Sequence, residues 1–151
     1  MKVLIINGPN LNMLGIRQPE VYGNKTYQDL VEYCLNVANP LKIELNIYQS
    51  NHEGCIIDKI QEAYNIFDGI IINAGAYTHY SIAIMDALKS VNIPTIEVHL
   101  SNIYTRESYR QISFIKEVAF KSFVGLGFEG YKLAIEEMVK FLKGERKWLL
   151  Q

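Results

Sequence analysis

Side chains able to move protons or hold an anion gather at a few places along this sequence. Arg17 and Tyr22 stand five residues apart, between Gly15 and Gly23. A guanidinium close to a phenol stabilises the phenolate, which is the form able to act as a base. A solvated arginine and a packed tyrosine are the commoner arrangement for such a pair, so its weight comes from the residues it would join. Glu97 and His99 alternate within an apolar run, so on a strand their side chains share a face. A carboxylate beside an imidazole fixes the ring and favours its protonated form, which suits a general acid. Arg106 and Arg110 are four apart and would share a face in a helical segment, ready to hold an anionic or hydroxyl-rich ligand. Ser101 follows His99 by two positions, where its hydroxyl and nearby backbone amides can take a carboxylate.

The elements that must position these residues follow from hydrophobic periodicity. Val3 to Ile6 is an apolar run that stops at Asn7-Gly8-Pro9-Asn10, as a buried strand ends in a turn. Helical periodicity does not resume until about Thr26, leaving a long loop, about 12–25, with the character of a lid. Thr26 and Asp29 are spaced to cap a helix whose stripe is Leu30, Val31, Cys34 and Ala38, closed off by Pro40. A strand over Ile43 to Tyr48 ends at Gln49-Ser50-Asn51-His52, and a helix follows from about Glu53, with Ile56, Ile57, Ile60 and Ala63 on one face. His52 precedes that helix and fits a capping or packing role. The strand Gly69 to Asn73 leads into Asn73-Ala74-Gly75-Ala76, and a helix runs from about Ser81 through Ile84, Met85 and Leu88 to Ser90. Pro94 opens the strand Thr95 to His99. A polar stretch, Ser101 to Arg110, has room for one helical turn. Val118 to Val124 is the last apolar segment, and Tyr131 to Leu142 the last helix.

Strand and helix thus alternate about five times, and short strands apolar on both sides imply a parallel sheet covered on both faces. The expected fold is α/β: a flavodoxin-like, doubly wound, five-stranded parallel sheet of order 2-1-3-4-5 with helices on both faces, and one catalytic domain over 1–151. In such a sheet ligands bind beyond the carboxyl ends of the strands. Those ends carry Asn7, Asn10, Arg17 and Tyr22; then Asn51, His52 and Glu53; then Asn73, Gly75, Ala76 and His79; and lastly Glu97, His99, Ser101, Asn102, Arg106 and Arg110. All three histidines of the chain fall at this edge.

Composition narrows the classes. The 151 residues include 15 basic and 16 acidic side chains with no basic block, so nothing builds a field for nucleic acid or an anionic membrane. Cys34 and Cys55 sit in helical patterns without metal-ligand spacing and fit a reducing compartment. The chain begins directly with a strand, and no apolar run reaches membrane-spanning length, so a cytoplasmic location is expected. The charged tail, about 144–151, carries a Trp148-Leu149-Leu150 patch suited to docking on a neighbour.

Other chemistries fit poorly. Glu97 and His99 form a metal pair without a convincing third ligand. Ser101 lacks the G-x-S-x-G elbow of a serine hydrolase. The first βα turn has neither G-x-G-x-x-G nor a P-loop, and Gly125-x-Gly127-x-x-Gly130 matches a dinucleotide fingerprint only in letters, with no β unit after it.

At this point six motifs in order carry a resemblance: Asn7-Gly8-Pro9-Asn10-Leu11, Arg17-Gln18-Pro19-Glu20-Val21-Tyr22-Gly23, Gln49-Ser50-Asn51-His52-Glu53-Gly54, Asn73-Ala74-Gly75-Ala76-Tyr77-Thr78-His79, Glu97-Val98-His99-Leu100-Ser101-Asn102 and Arg106-Glu107-Ser108-Tyr109-Arg110. Up to about Phe141 the chain resembles the type II 3-dehydroquinate dehydratases of the shikimate pathway. The resemblance implies dehydration of 3-dehydroquinate to 3-dehydroshikimate through an enolate. It implies that Tyr22 removes the C2 proton, that Arg17 activates it, that His99 protonates the leaving hydroxyl, and that Glu97 orients His99. Asn10 would hold a water at the enolate. Asn73, the Leu100 backbone and Ser101 would take the carboxylate, within a site that includes Gly75 and Ala76. His79 and Arg110 would take ring hydroxyls, and Asp86 would reach a neighbouring subunit's site. The resemblance also implies no cofactor and trimers stacked into a homododecamer.

Electrostatics agrees with that assignment. A guanidinium ~4 Å from a phenolate contributes about 4 kcal/mol at an effective dielectric of ~20, or roughly three pK units off a free tyrosine's ~10. The sequence departs from the family pattern at Cys55, Lys121 and Tyr109, none of them a position carried over as catalytic. Two further readings stay open: a flavodoxin-like binding module, and a relative acting on another cyclic hydroxy-keto acid such as quinate.

Overall fold

A computed structural model describes residues 1–16, 20 and 23–144. Arg17 and Tyr22 lie outside the described residues, as does the Trp148-Leu149-Leu150 patch. The described residues include five strands: β1 (Lys2–Asn7), β2 (Glu44–Gln49), β3 (Gly69–Asn73), β4 (Thr95–His99) and β5 (Lys121–Val124). They form one parallel sheet of order β2-β1-β3-β4-β5, the order expected from the alternation of strands and helices. Among the described residues four longer helices cover it: α1 (Tyr27–Leu41), α2 (Glu53–Glu62), α3 (Ile82–Val91) and α4 (Phe128–Leu142).

The two-residue period of the strands divides the core in two. Val3, Ile5, Ile71, Ile96 and Val98 face α1 and α4, where they meet Leu30, Cys34, Ala134, Ile135 and Met138. Leu4, Ile6, Ile70 and Ile72 face α2 and α3, where they meet Ile56, Ile60, Ile84 and Leu88. The isoleucines of β3 are fully buried. Each such side chain contributes about 1.5–3 kcal/mol when withdrawn from water. This rigid slab fixes the strand ends.

Several local boundaries differ from the sequence-based expectation. Thr26 and Asp29 do form a reciprocal capping box, with Asp29 N–H to Thr26 Oγ1 at 3.1 Å and Thr26 N–H to Asp29 Oδ2 at 2.8 Å. Pro40, however, does not end α1. It lies in the last turn, and the stop is Lys42, whose φ of 56° takes the left-handed conformation of a helix terminus. The segment expected as a strand over Val118 to Val124 is extended only from Lys121, because Ile115–Glu117 forms a 3-10 turn first. The last helix begins at Phe128 rather than Tyr131, directly after Gly127 with φ 58°. The polar stretch after β4 holds two short 3-10 turns, Ile103–Thr105 and Ser108–Arg110, where one turn was anticipated.

Candidate active site

Beyond the carboxyl ends of β1, β3 and β4 lies a cleft. It is lined by Asn10, Asn73, Gly75, Ala76, His79, His99, Leu100, Ser101, Arg106 and Arg110, with Pro9, Leu11 and Ile103 completing the wall. This is the switch-point crevice of a doubly wound sheet. The sequence-based site residues within the described part converge here, with two exceptions. Glu97 lies behind the wall, fully buried. Asp86 is exposed on α3 and does not line the cleft.

Two tight backbone approaches shape the floor. Gly8 N–H donates to the Asn73 carbonyl at 2.7 Å, and a Cβ on Gly8 would stand 2.5 Å from the Ala74 backbone. Only glycine allows the β1 and β3 turns to pass this closely. Asn10 then takes a left-handed conformation, φ 68°, tolerated by asparagine. Its N–H donates to Asn51 Oδ1 at 3.0 Å, and Gln49 Nε2 donates to both Asn51 Oδ1 and the Gly8 carbonyl at 3.1 Å. The end of β2 thus braces the end of β1. His52 stands at the start of α2, with its side chain exposed and making no cap hydrogen bond. The expected capping role is met by the backbone: His52 is the N-cap residue of α2, and its carbonyl accepts the Ile56 N–H at 3.1 Å.

Glu97 and His99 form a buried pair behind and on the cleft wall. His99 Nε2 donates to Glu97 Oε2 at 3.0 Å, and His99 itself is nearly buried. Glu97 also accepts from the Ser122 hydroxyl at 2.9 Å, through Oε1, and from the Ser113 hydroxyl. Burial pushes the Glu97 carboxyl up. The His99 hydrogen bond and charge and the two serine hydroxyls outweigh it, holding the group below the usual carboxylate range. An anion this well supplied with donors fixes the imidazole with Nε2 toward Glu97. That leaves Nδ1 as the nitrogen free to exchange a proton with a ligand in the cleft.

His79 is set differently. Its Nδ1–H donates to the Ile112 carbonyl at 2.8 Å. Burial dominates and lowers its pKa, against the pull of that carbonyl, and the charges of His99 and Arg110 add to the lowering. A neutral ring with Nδ1 committed presents Nε2 as an acceptor, suited to a hydroxyl donor. Arg110 Nε lies 3.0 Å from Glu107 Oε2, but the N–H is not aligned for a hydrogen bond, so the contact is an ion pair. Both Arg106 and Arg110 reach the cleft, from the two 3-10 turns rather than from one helix.

Three supporting side chains escaped the sequence reading: Ser113, Ser122 and Tyr131. Ser122 faces Glu97 in the β4–β5 register. Its signal was a hydroxyl inside a short apolar strand. Tyr131 falls on the apolar stripe of α4, at helical spacing from Ala134 and Ile135, and a buried phenol of this kind needs a partner. It has two: its hydroxyl donates to Asn7 Oδ1 at 2.7 Å and accepts from Asn73 Nδ2 at 3.0 Å. Among the described residues no group of three or more His, Cys, Asp or Glu side chains is arranged to hold a metal ion, and no helix is long and apolar enough to cross a membrane.

Fold and cleft define an α/β protein of the doubly wound, flavodoxin-like type, with a carboxylate-held imidazole and a ring of anion and hydroxyl partners at the switch point. The family model for class II dehydroquinase matches residues 1–139. The 3-dehydroquinate dehydratase of Clostridium acetobutylicum is 53% identical over 142 residues, covering 94% of this chain and 99% of that one. That of Bacillus cereus is 51% identical, covering 94% and 97%. The crystal structure of the type II dehydroquinase from Butyrivibrio crossotus superposes with a TM-score of 0.90 at 55% identity, over 91% of this chain and 97% of that one. The type II dehydroquinase from Propionibacterium acnes gives 0.88 at 36% identity, over 92% and 96%. The chain belongs to the class II dehydroquinase family, the family its six motifs resemble.

Proposed function

We propose that this enzyme dehydrates 3-dehydroquinate to 3-dehydroshikimate, within the shikimate pathway, by way of an enolate. Tyr22, as its phenolate, takes the C2 proton, and the electron pair of that C–H bond moves into the ketone as an enolate. His99 then delivers a proton to the C1 hydroxyl as the C1–O bond breaks, the enolate collapses to the conjugated enone, and water leaves. Arg17 stabilises the phenolate and Asn10 holds the water that supports the enolate oxygen. Asn73, the Leu100 backbone and Ser101 take the substrate carboxylate, beside Gly75 and Ala76. His79 and Arg110 take ring hydroxyls, and Asp86 serves a neighbouring subunit's site. This mechanism needs no metal and no cofactor.

The observation that carries the reading is the buried Glu97–His99 pair, with the imidazole on the wall of a cleft otherwise lined by carboxylate and hydroxyl partners. Two further features support the assignment of roles. The fixed ring orientation of His99 suits an acid that protonates one hydroxyl, and neutral His79 suits a hydrogen bond from another. The residues between 12 and 25 act as the closing lid of a single catalytic domain, and the chains assemble as a homododecamer in the cytoplasm.

The test mixes metal-stripped protein with 3-dehydroquinate and follows the enone by ultraviolet absorbance, with a borohydride-treated sample in parallel and the same preparation sized by light scattering. Turnover that survives both treatments, from a particle of about twelve chains' mass, is expected. Loss of turnover on chelation or on borohydride treatment would contradict the mechanism, and a folded protein without turnover would contradict the substrate.

A further inference from the structure

We infer that Tyr131 is a positioning residue that locks the side-chain amide of Asn73 so that a donor, not an acceptor, is offered to the substrate carboxylate; the inference rests on the function proposed above. Strand parity makes the contact possible. Asn7 and Asn73 are register partners at the ends of β1 and β3, and each continues the face that Val3, Ile5 and Ile71 present to α4. Tyr131, fully buried on the first turn of α4, stands directly under both.

The hydrogen bonds run in one direction. Asn7 Nδ2 donates to the Tyr27 hydroxyl at 3.4 Å, which leaves Asn7 Oδ1 as the acceptor for Tyr131. Because the Tyr131 hydrogen is spent on Asn7 at 2.7 Å, its oxygen can only accept from Asn73. Asn73 must therefore place Nδ2 against Tyr131, and its Oδ1 accordingly takes the Gly75 N–H at 3.2 Å. A flipped amide would face the Gly75 N–H with its own donor, and Tyr131 could donate to its Oδ1 only by giving up Asn7. One Nδ2 hydrogen then remains uncommitted on a residue that lines the cleft. With Tyr131's acceptor gone, only the Gly75 N–H would bias the amide, and a carbonyl turned to the cleft would repel a carboxylate. The phenol deep in the core thus sets the polarity of a binding group without touching the ligand.

The test is Tyr131→Phe in the full chain, which keeps the ring and removes the hydroxyl. KM for 3-dehydroquinate should rise about tenfold, the equivalent of one hydrogen bond to a charged group, while kcat changes little. In an Asn73→Ala background the same substitution should add no further rise in KM, because the group it positions is gone. A merely structural tyrosine would give the same loss in both backgrounds, and either that result or an unchanged KM in the folded single variant would overturn the inference. Nuclear magnetic resonance of the wild-type chain gives a readout that needs neither turnover nor a folded variant. The Asn73 side-chain amide should be protected from solvent exchange and show contacts to the Tyr131 ring. An Asn73 amide exchanging like a free asparagine would overturn the inference, whereas absence of wild-type turnover would overturn only the function on which it rests.

Discussion

Glu97 supports the acid of the proposed mechanism, and its environment has a testable consequence for the dependence of stability on pH. The carboxyl is fully buried yet held below the ordinary carboxylate range, because His99, Ser113 and Ser122 all direct hydrogens at it. Its folded-state pKa is lower than its unfolded one, so between the two values the unfolded chain binds more protons. The stability this group contributes is complete above the ordinary carboxylate range and is lost as pH falls through the depressed folded value. Glu97→Gln should be less stable than the wild type at neutral pH. It should also show a flatter dependence of urea midpoint on pH in the acid range. A variant whose midpoints run parallel to the wild type would mean that Glu97 is not the group responsible. The serines that hold this anion were not legible in the sequence. Ser113 lies 16 residues and Ser122 25 residues from Glu97, and only the β4–β5 register and the loop between bring them to it.

At the scale of elements, the sheet was legible because alternation is a local signal: each strand is short, apolar and closed by turn residues. The order β2-β1-β3-β4-β5 followed from that alternation. Element ends were less legible where backbone geometry overrode composition. Pro40 occupies the final turn of α1 while Lys42 terminates it, and Val118 is withheld from β5 by a turn that begins at Ile115. By periodicity Tyr131 is only the opening of a helix, and its contacts emerge once Asn7 and Asn73, 124 and 58 residues away, stand above it. The crossing of the β1 and β3 turns has a strict steric requirement. Gly8→Ala would place a methyl 2.5 Å from the Ala74 backbone, which no side-chain rotation relieves. Such overpacking costs about 1–3 kcal/mol. Thermal or urea unfolding should show a loss of that order, and turnover should fall as Asn10 and Gly75 are pushed apart. Unchanged stability would mean that the two turns have slack that the structure does not show.

Across the whole molecule, the proposed mechanism draws its acid and the partners of the substrate's carboxylate and hydroxyls from residues that a rigid two-faced slab holds at its strand ends, and its base, Tyr22, from the sequence between β1 and α1. The proposed enolate route requires that this acid and this base act in separate steps. The most direct test of that claim is exchange of the C2 proton of 3-dehydroquinate in deuterium oxide, measured beside dehydration for Tyr22→Phe and for His99→Gln. Tyr22→Phe should lose both exchange and dehydration, because no enolate forms. His99→Gln should keep C2 exchange while dehydration falls by about 10²-fold or more, because the enolate forms but its hydroxyl has no acid to leave with. Exchange that vanishes in His99→Gln, or dehydration that persists in Tyr22→Phe, would contradict the division of labour between loop and sheet.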